Sequence, residues 1–331
     1  MDMNFQTTGD EMVPGTQALG FDPSVQPKRG VIESPYIYRQ QRRHFLLLDV
    51  LPNVAAAIAV VLAFFRPVGW PEISVLVVMW AVTGLGITAG YHRHFTHLAF
   101  KATPAVQVGL AIAGAMAGQG GVISWVAIHR RHHQYSDQEG DPHSPNLAAR
   151  GWRGQLRGLT HSHFTWMARH AYPNPAHYAK DLLRNAPVCW VNRHYYRWVV
   201  LGIVAPAVAV ALIERSPWGL LTGALWGGGL RIALLGHTIW AINSVLHTVG
   251  QRPHETDDNS HNSAVFGLLT FGESFHNNHH AYPRSASFGL HRAWLDPGYW
   301  LIRLLAAGGL AWDVWTPPRN EGTTSRRTEK L

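Results

Sequence analysis

A chain of 331 residues, 47% of them hydrophobic, with a formal charge of +8, is long enough for one large domain or two small ones. Its single cysteine, Cys189, excludes an intramolecular disulfide and a thiolate metal site, and nothing in the sequence points to an oxidising compartment. The apolar residues gather into runs of membrane-spanning length with the Lys and Arg excess in the segments that flank them, which indicates one membrane-embedded unit. Its basic segments suit anionic lipid heads or an anionic substrate, and no nucleic acid partner is expected.

Residues 1–40 are rich in Gly, Pro, Gln and Asp and lack the charged start and short apolar core of a signal peptide, so they read as a disordered cytoplasmic tail. The body of the protein is expected over 41–318, with a polar tail at 319–331. A basic flank from Tyr38 to His44 leads into a first span, Phe45 to Phe65, long enough to cross ~30 Å of hydrocarbon at ~1.5 Å per residue. After the turn at Arg66 to Pro71, Glu72 to Gly90 forms a second span. Basic residues before Phe45, against Arg66 alone in the turn, place the amino terminus on the cytoplasmic side.

Three histidine clusters organise the rest. His92 and His97 follow the second span in Tyr91-His-Arg-His-Phe-Thr-His97, and His129-Arg-Arg-His132-His133 puts three imidazoles at i, i+3 and i+4 on one helical face. The spacing returns at His276-Asn-Asn-His279-His280. Each cluster alone could be a polar surface turn, but the repeat of the spacing beside apolar runs reads as a metal cage. Pro104 to Ile128 is apolar enough to cross, yet a single crossing would leave His129 on the opposite face from His92. It therefore reads as a re-entrant or interfacial helix.

Residues 134 to 197 form a polar cytoplasmic region. Trp198 to Ile213 and Trp218 to about Ile242 give the third and fourth spans, which return the chain to the cytoplasm before His247 and the last cluster. Asp296 to Leu305 has the pattern of an amphipathic helix lying on the membrane. The fold class is all-α, a polytopic membrane protein with four transmembrane helices and a cytoplasmic helical cap.

All-imidazole ligation suits Fe, Zn or Cu, and softness alone does not choose among them. His92, His97, His129, His132, His133, His276, His279 and His280 are too many for one ion with four to six positions, so two metals are implied. His247 adds a ninth, one helical turn after Asn243 in Asn243-Ser-Val-Leu-His247.

The order HRHFTH, HRRHH with Asp137-Gln-Glu-Gly-Asp-Pro-His143, NSVLH, then Gly272-Glu-Ser-Phe-His-Asn-Asn-His-His280 resembles the membrane fatty acyl desaturases of the stearoyl-CoA delta-9 type. The likeness runs from about Gly84 to Trp300. It implies a non-haem di-iron centre, two Fe2+ held by the nine His above, with Asn243 reaching one iron through water; His94 lies inside the first motif but not at a ligand position. It implies an oxidoreductase of fatty acid biosynthesis that uses O2 to place a cis double bond, delta-9 in position, in a saturated fatty acyl-CoA. Alternatives are an acyl-lipid desaturase or hydroxylase on the same cage, or, in another class, a polytopic metal-binding or transport protein without turnover. Transport sites set polar ligands within the spans, whereas these clusters stand at span ends.

By the same resemblance, Arg150, Arg153 and Arg157 would meet carrier phosphates, with a plain cytoplasmic-loop charge run the alternative for each, and this region is spaced more widely here than in the animal enzymes. His161 and His163 would lie near the channel mouth. Thr238 and Trp240 would line the acyl tunnel, with a packed core an equal alternative for Trp240. Arg231, in mid-span, takes a structural or tunnel role. Asp137, Glu139, Asp141 and Glu273 stand next to the motifs as acceptors for the second imidazole nitrogens, or as ordinary solvated acids. No Cys set or haem-binding segment is present, so electrons would come from a separate ferredoxin, oxidoreductase or cytochrome b5 type protein. The chain would sit in the bacterial inner membrane with its active site on the cytoplasmic side.

Overall fold

The computed structural model describes residues 30–148 and 151–318. Among these, four helices are long and apolar enough to cross a membrane: Pro35–Ala63, Trp70–Thr96, Tyr195–Glu214 and Trp218–His247. Each contains most of one expected span and extends it towards the histidine-rich side or into its flank. The architecture is mostly helical, with two pairs of very short strands, Val31–Ile32 against Tyr172–Pro173 and Lys101–Ala102 against Ala311–Trp312.

The first helix starts earlier than composition suggested. Ser34 accepts the Ile37 N–H at 3.2 Å and Pro35 fills the first turn, where its missing N–H costs nothing. The expected disordered tail over 1–40 is thus corrected at its end, since Val31–Ile32 are strand-paired and the helix is under way from Pro35; residues 1–29 and the tail at 319–331 lie outside the described residues. Pro52 has no N–H to return to the preceding turn, and the helix opens into wide i→i+5 winding over Phe45–Val50 just before it.

The second helix ends in the same wide winding over Gly86–Thr96, buried along its length, and this segment carries His92. Pro104 to Ile128 is not one helix. It divides into Pro104–Met116 and Val122–Tyr135, separated at Gly118 (φ +79°) and Gly120 (φ +100°), conformations that a Cβ would strain. Thirteen residues rise only about 20 Å, short of a ~30 Å hydrocarbon core.

Arg231 fastens the bundle from inside. Fully buried, it donates from Nε to the Gly227 carbonyl (3.1 Å), from Nη1 to Met116 (2.7 Å) and from Nη2 to Gly202 (2.9 Å). Three helices therefore share one guanidinium, whose planar fork suits several carbonyls at once. Of the two roles expected for Arg231 the structural one is observed.

The cap closes over the histidine-bearing ends of the helices. Asp296 caps Pro297–Ala307 by accepting the Tyr299 N–H, and its Oδ1 also lies 2.9 Å from Arg93 Nη2, both side chains being fully buried. That ion pair holds the last helix against the segment bearing His92.

Candidate metal centre

The nine expected imidazoles converge in two groups. His92, His97, His129, His133 and His279 form one, and His132, His247, His276 and His280 the other, with the ligand atoms of each group within 4.8 Å of one another. The repeated spacing explains the division. Helix Val122–Tyr135 sends its i, i+4 pair, His129 and His133, to the first group and His132 to the second. Helix His276–Ala281 does the reverse, with His276 and His280 in the second group and His279 in the first. Each HxxHH segment thus contributes to both groups.

Carboxylates fix the rings from behind. His92 Nδ1 lies 2.5 Å from Glu273 Oε2, His132 Nδ1 3.0 Å from Asp141, His247 Nδ1 2.8 Å from Asp137 and His280 Nδ1 2.6 Å from Asp258. Burial alone would raise the Asp258 carboxyl, but His280 beside it and hydrogen bonds from Ser260 hold it well below the usual carboxylate range. Asp137 and Asp141 are depressed in the same way, against burial, by His247 and His132 respectively. An ionised carboxylate receives the Nδ1 proton, which in the neutral ring leaves Nε2 as a bare lone pair.

Those lone pairs meet one another. His247 Nε2 and His280 Nε2 lie 3.0 and 3.1 Å from His276 Nε2, and His276 has only one proton to offer. In the first group His279 Nε2 stands 3.0 Å from His92 Nε2 and 2.8 Å from His133 Nε2, which itself lies 3.0 Å from His129 Nε2. Both ring nitrogens of His97 and Nε2 of His132 are buried without a hydrogen-bond partner. Converging acceptors of this kind require a cation between them, so the donor set fits two metal ions. A third, smaller group joins His132 and Asp141 to His143, whose imidazole is pushed down to about 3 by burial and by the neighbouring His132.

Both groups open on one cavity of about 370 Å³. His92, His129 and His276 line it, together with Asn243, Trp240, Gln119 and Trp125. Trp240, almost fully buried, donates its indole N–H to Gln119 Oε1 at 3.1 Å and presents a ring to the cavity, so it is both packed and lining. Asn243 is half-buried, its backbone carbonyl held by the Ser162 hydroxyl at 2.9 Å.

Other expected substrate residues stand elsewhere. Thr238 returns its hydroxyl to the Leu234 carbonyl (2.8 Å), as a Thr within a helix often does, and is not among the cavity-lining residues. Arg153 and Arg157 are exposed on helix Trp152–His163 and do not line the cavity either, because that helix turns its glycine-bearing face inward; Arg150 lies outside the described residues. His163 bridges Ser244 Oγ (3.0 Å) and His237 Nδ1 (2.9 Å) rather than opening on the cavity, and His161 and Glu139 are exposed. The cavity wall is supplied instead by the helix beginning at Pro35, through Tyr36, Gln40 and His44, a contribution the sequence hides because those residues belong to what reads as a basic flank. Asp258 was hidden too, standing 22 positions before the imidazole it holds.

Comparison with known proteins agrees with this geometry. The sequence model of the family described as "Fatty acid desaturase" matches residues 67–313. The chain is 44% identical over 299 residues to a hex-5-enoyl-[acyl-carrier protein] acetylenase of Moorena producens, covering 90% of this chain and 93% of that protein. It is 32% identical to delta-9 acyl-lipid desaturase 1 of Arabidopsis thaliana (84% and 87% covered) and 33% identical to an sn-1 stearoyl-lipid 9-desaturase of Synechocystis (80% and 78% covered). Four helices of spanning length, a paired histidine cage opening on an apolar cavity and a match across most of the chain have one reading: this protein belongs to the fatty acid desaturase family.

Proposed function

We propose that the protein is an O2-dependent, di-iron fatty acyl desaturase whose substrate is a saturated acyl chain held as a phosphopantetheine thioester. Acyl-CoA is the form expected from the sequence, and the Moorena relative is named for an acyl group on carrier protein; both present the same arm. A cis double bond at the delta-9 position is the expected product. The observation that carries the reading is the opening of both imidazole groups onto one largely apolar cavity.

Two irons held by the nine His would supply O2 activation strong enough to take hydrogen from an unactivated methylene, chemistry that no side chain provides. The chain's own residues do the rest. Asp137, Asp141, Asp258 and Glu273 keep the protons of four ligands on Nδ1 and so keep Nε2 free for metal. Trp125, Ile239, Trp240 and Ile242 give the acyl chain a dry wall beside His129 and His276. Asn243 holds a water towards the second group. The balance is saturated acyl thioester, O2, two electrons and two protons to the unsaturated thioester and two waters, with electrons from a separate ferredoxin, oxidoreductase or cytochrome b5 type protein.

The helix Pro35–His44 carries exposed Arg39, Arg42 and Arg43 and also lines the cavity with Tyr36 and Gln40, so it supports phosphate binding at this edge in place of Arg153 and Arg157. The arrangement in the membrane follows the same reading: four crossings in a bacterial inner membrane, Pro104–Met116 re-entrant, and the cap and metal centre on the cytoplasmic side. A second reading, desaturation of acyl chains esterified in lipid, is favoured by the names of the plant and cyanobacterial relatives.

Expression in a host, with fatty acids analysed separately in thioester and lipid pools, tests both. A new cis double bond appearing first in the thioester pool is expected. Appearance in intact lipid alone would select the second reading, and no new double bond from iron-loaded protein given O2 and reductant would overturn the function. Ala at any of His129, His132, His133, His276, His279 or His280 should abolish product while leaving the protein in the membrane.

A further inference from the structure

Among the described residues, Asp49 is the one carboxylate in the cavity wall that does not back a cage imidazole. It is 1% exposed, sits at the end of the wide winding in the first helix, and lines the cavity; neither carboxylate oxygen has a hydrogen-bond partner. His44 Nδ1 stands 3.7 Å from Oδ2, within ion-pair range but beyond hydrogen-bond reach. Tyr195 Oη accepts the Gly120 N–H at 2.9 Å and lies 3.0 Å from His44 Nε2. A second unfilled group shares the cavity: the Gln119 amide nitrogen is buried without a partner, while its oxygen takes the Trp240 indole N–H.

A buried carboxylate left unpaired is costly, and it gains most from a ligand that brings it a donor. A saturated acyl chain brings none, and neither does the ester linkage of a glycerolipid, whose oxygens are all acceptors, at the same distance from the acyl carbonyl. A phosphopantetheine thioester does: two carbons beyond its sulfur stands a secondary amide, with one N–H and one carbonyl. That pair complements the unfilled acceptor at Asp49 and the unfilled donor at Gln119. The position suits the head of the substrate, since Asp49 follows the segment whose exposed Tyr36 lines the cavity edge, while the buried His92 and His276 line its inner end.

We propose that Asp49 is a substrate-specificity residue that accepts the first amide N–H of a pantetheine thioester, so that the enzyme distinguishes carrier-bound acyl groups from lipid esters. The inference rests on the thioester reading above and deepens it. The test uses the full iron-loaded chain and two thioesters of one acyl group: the N-acetylcysteamine thioester, which keeps the amide, and the S-pentyl thioester, which matches its length without one. The wild type is expected to show a KM about tenfold lower for the amide-bearing substrate with kcat little changed, the size of one buried hydrogen bond. Asp49→Leu should remove most of that preference, leaving only what the Gln119 amide contributes, and Asp49→Asn, which keeps an acceptor, should retain more of it. Equal KM values in the wild type, or an intact preference in Asp49→Leu, would overturn the proposal while leaving the thioester reading in place. Turnover of a glycerolipid with neither thioester accepted would overturn both. The wild-type comparison needs no variant, so a folding failure in Asp49→Leu does not shield the idea.

Discussion

Asp258 Oδ2 lies 2.6 Å from His280 Nδ1, and the same carboxylate takes the Ser260 N–H and hydroxyl through its other oxygen. The loop is thereby locked behind a cage imidazole, and the proton it holds on Nδ1 leaves Nε2 facing His276. Removing such a support weakens a metal site by roughly 10–100-fold without removing a ligand. Asp258→Ala should therefore retain less iron at limiting metal, by about that factor, with Asp258→Asn losing less because its amide oxygen still accepts. Metal titration of purified protein decides it; unchanged affinity in Asp258→Ala would make the contact incidental.

Arg231 holds three backbone carbonyls from three helices, and no neutral side chain replaces those donors. Arg231→Met removes the donor from three buried acceptors, a loss of roughly 3–9 kcal/mol at ~1–3 kcal/mol per group. Arg231→Lys should fall between, since one ammonium cannot span the three carbonyls as a planar fork does. Thermal unfolding in detergent should rank wild type above Lys above Met, and an unshifted midpoint in Arg231→Met would refute the fastening role.

What the sequence made legible and what it concealed divide along physical lines. The nine His were readable because imidazole is a scarce ligand type and helical spacing alone brings i, i+3 and i+4 together; the structure assigns them to two groups through that same spacing. Asp137, Asp141 and Glu273 were readable by adjacency. Asp258 was not, because the loop before the last cluster follows no period, and the pairing of Arg93 with Asp296 joins residues 203 positions apart. The basic run after the second cluster stands apart from the cavity: Arg153 and Arg157 are exposed on a helix whose inner face is glycine, while the helix beginning at Pro35 supplies the cavity edge.

Arg93 and Asp296 form a buried ion pair in which each partner has a different second duty. Asp296 also accepts the N–H groups of Phe288, Gly289 and Tyr299, and Arg93 also donates to Thr88 and stacks on the Phe288 ring at 4.0 Å. Removing the carboxylate strands a charge and three donors, a loss of roughly 3–5 kcal/mol. Asp296→Leu is thus expected to be worse than Arg93→Leu, and the double variant no worse than Asp296→Leu alone, a coupling above about 1 kcal/mol. Additive losses in a double-mutant cycle would show that the two side chains act independently.

Asn243 stands one helical turn before His247 and lines the cavity with His276. A carboxamide is a poor iron ligand but a good holder of water, since it both donates and accepts. His247, by contrast, lies inside the second group with its Nδ1 bound to Asp137 and its Nε2 3.0 Å from His276 Nε2. The two neighbours should therefore fail differently. Asn243→Ala should keep most of its iron and lose activity by about 10–100-fold, the usual scale for a group acting through the surroundings of a metal, whereas His247→Ala should lose iron as well. Iron content and single-turnover rate measured on both variants separate the roles. Equal iron loss would place Asn243 on the metal or in the folding of the helix end, and full activity in Asn243→Ala would remove it from the centre.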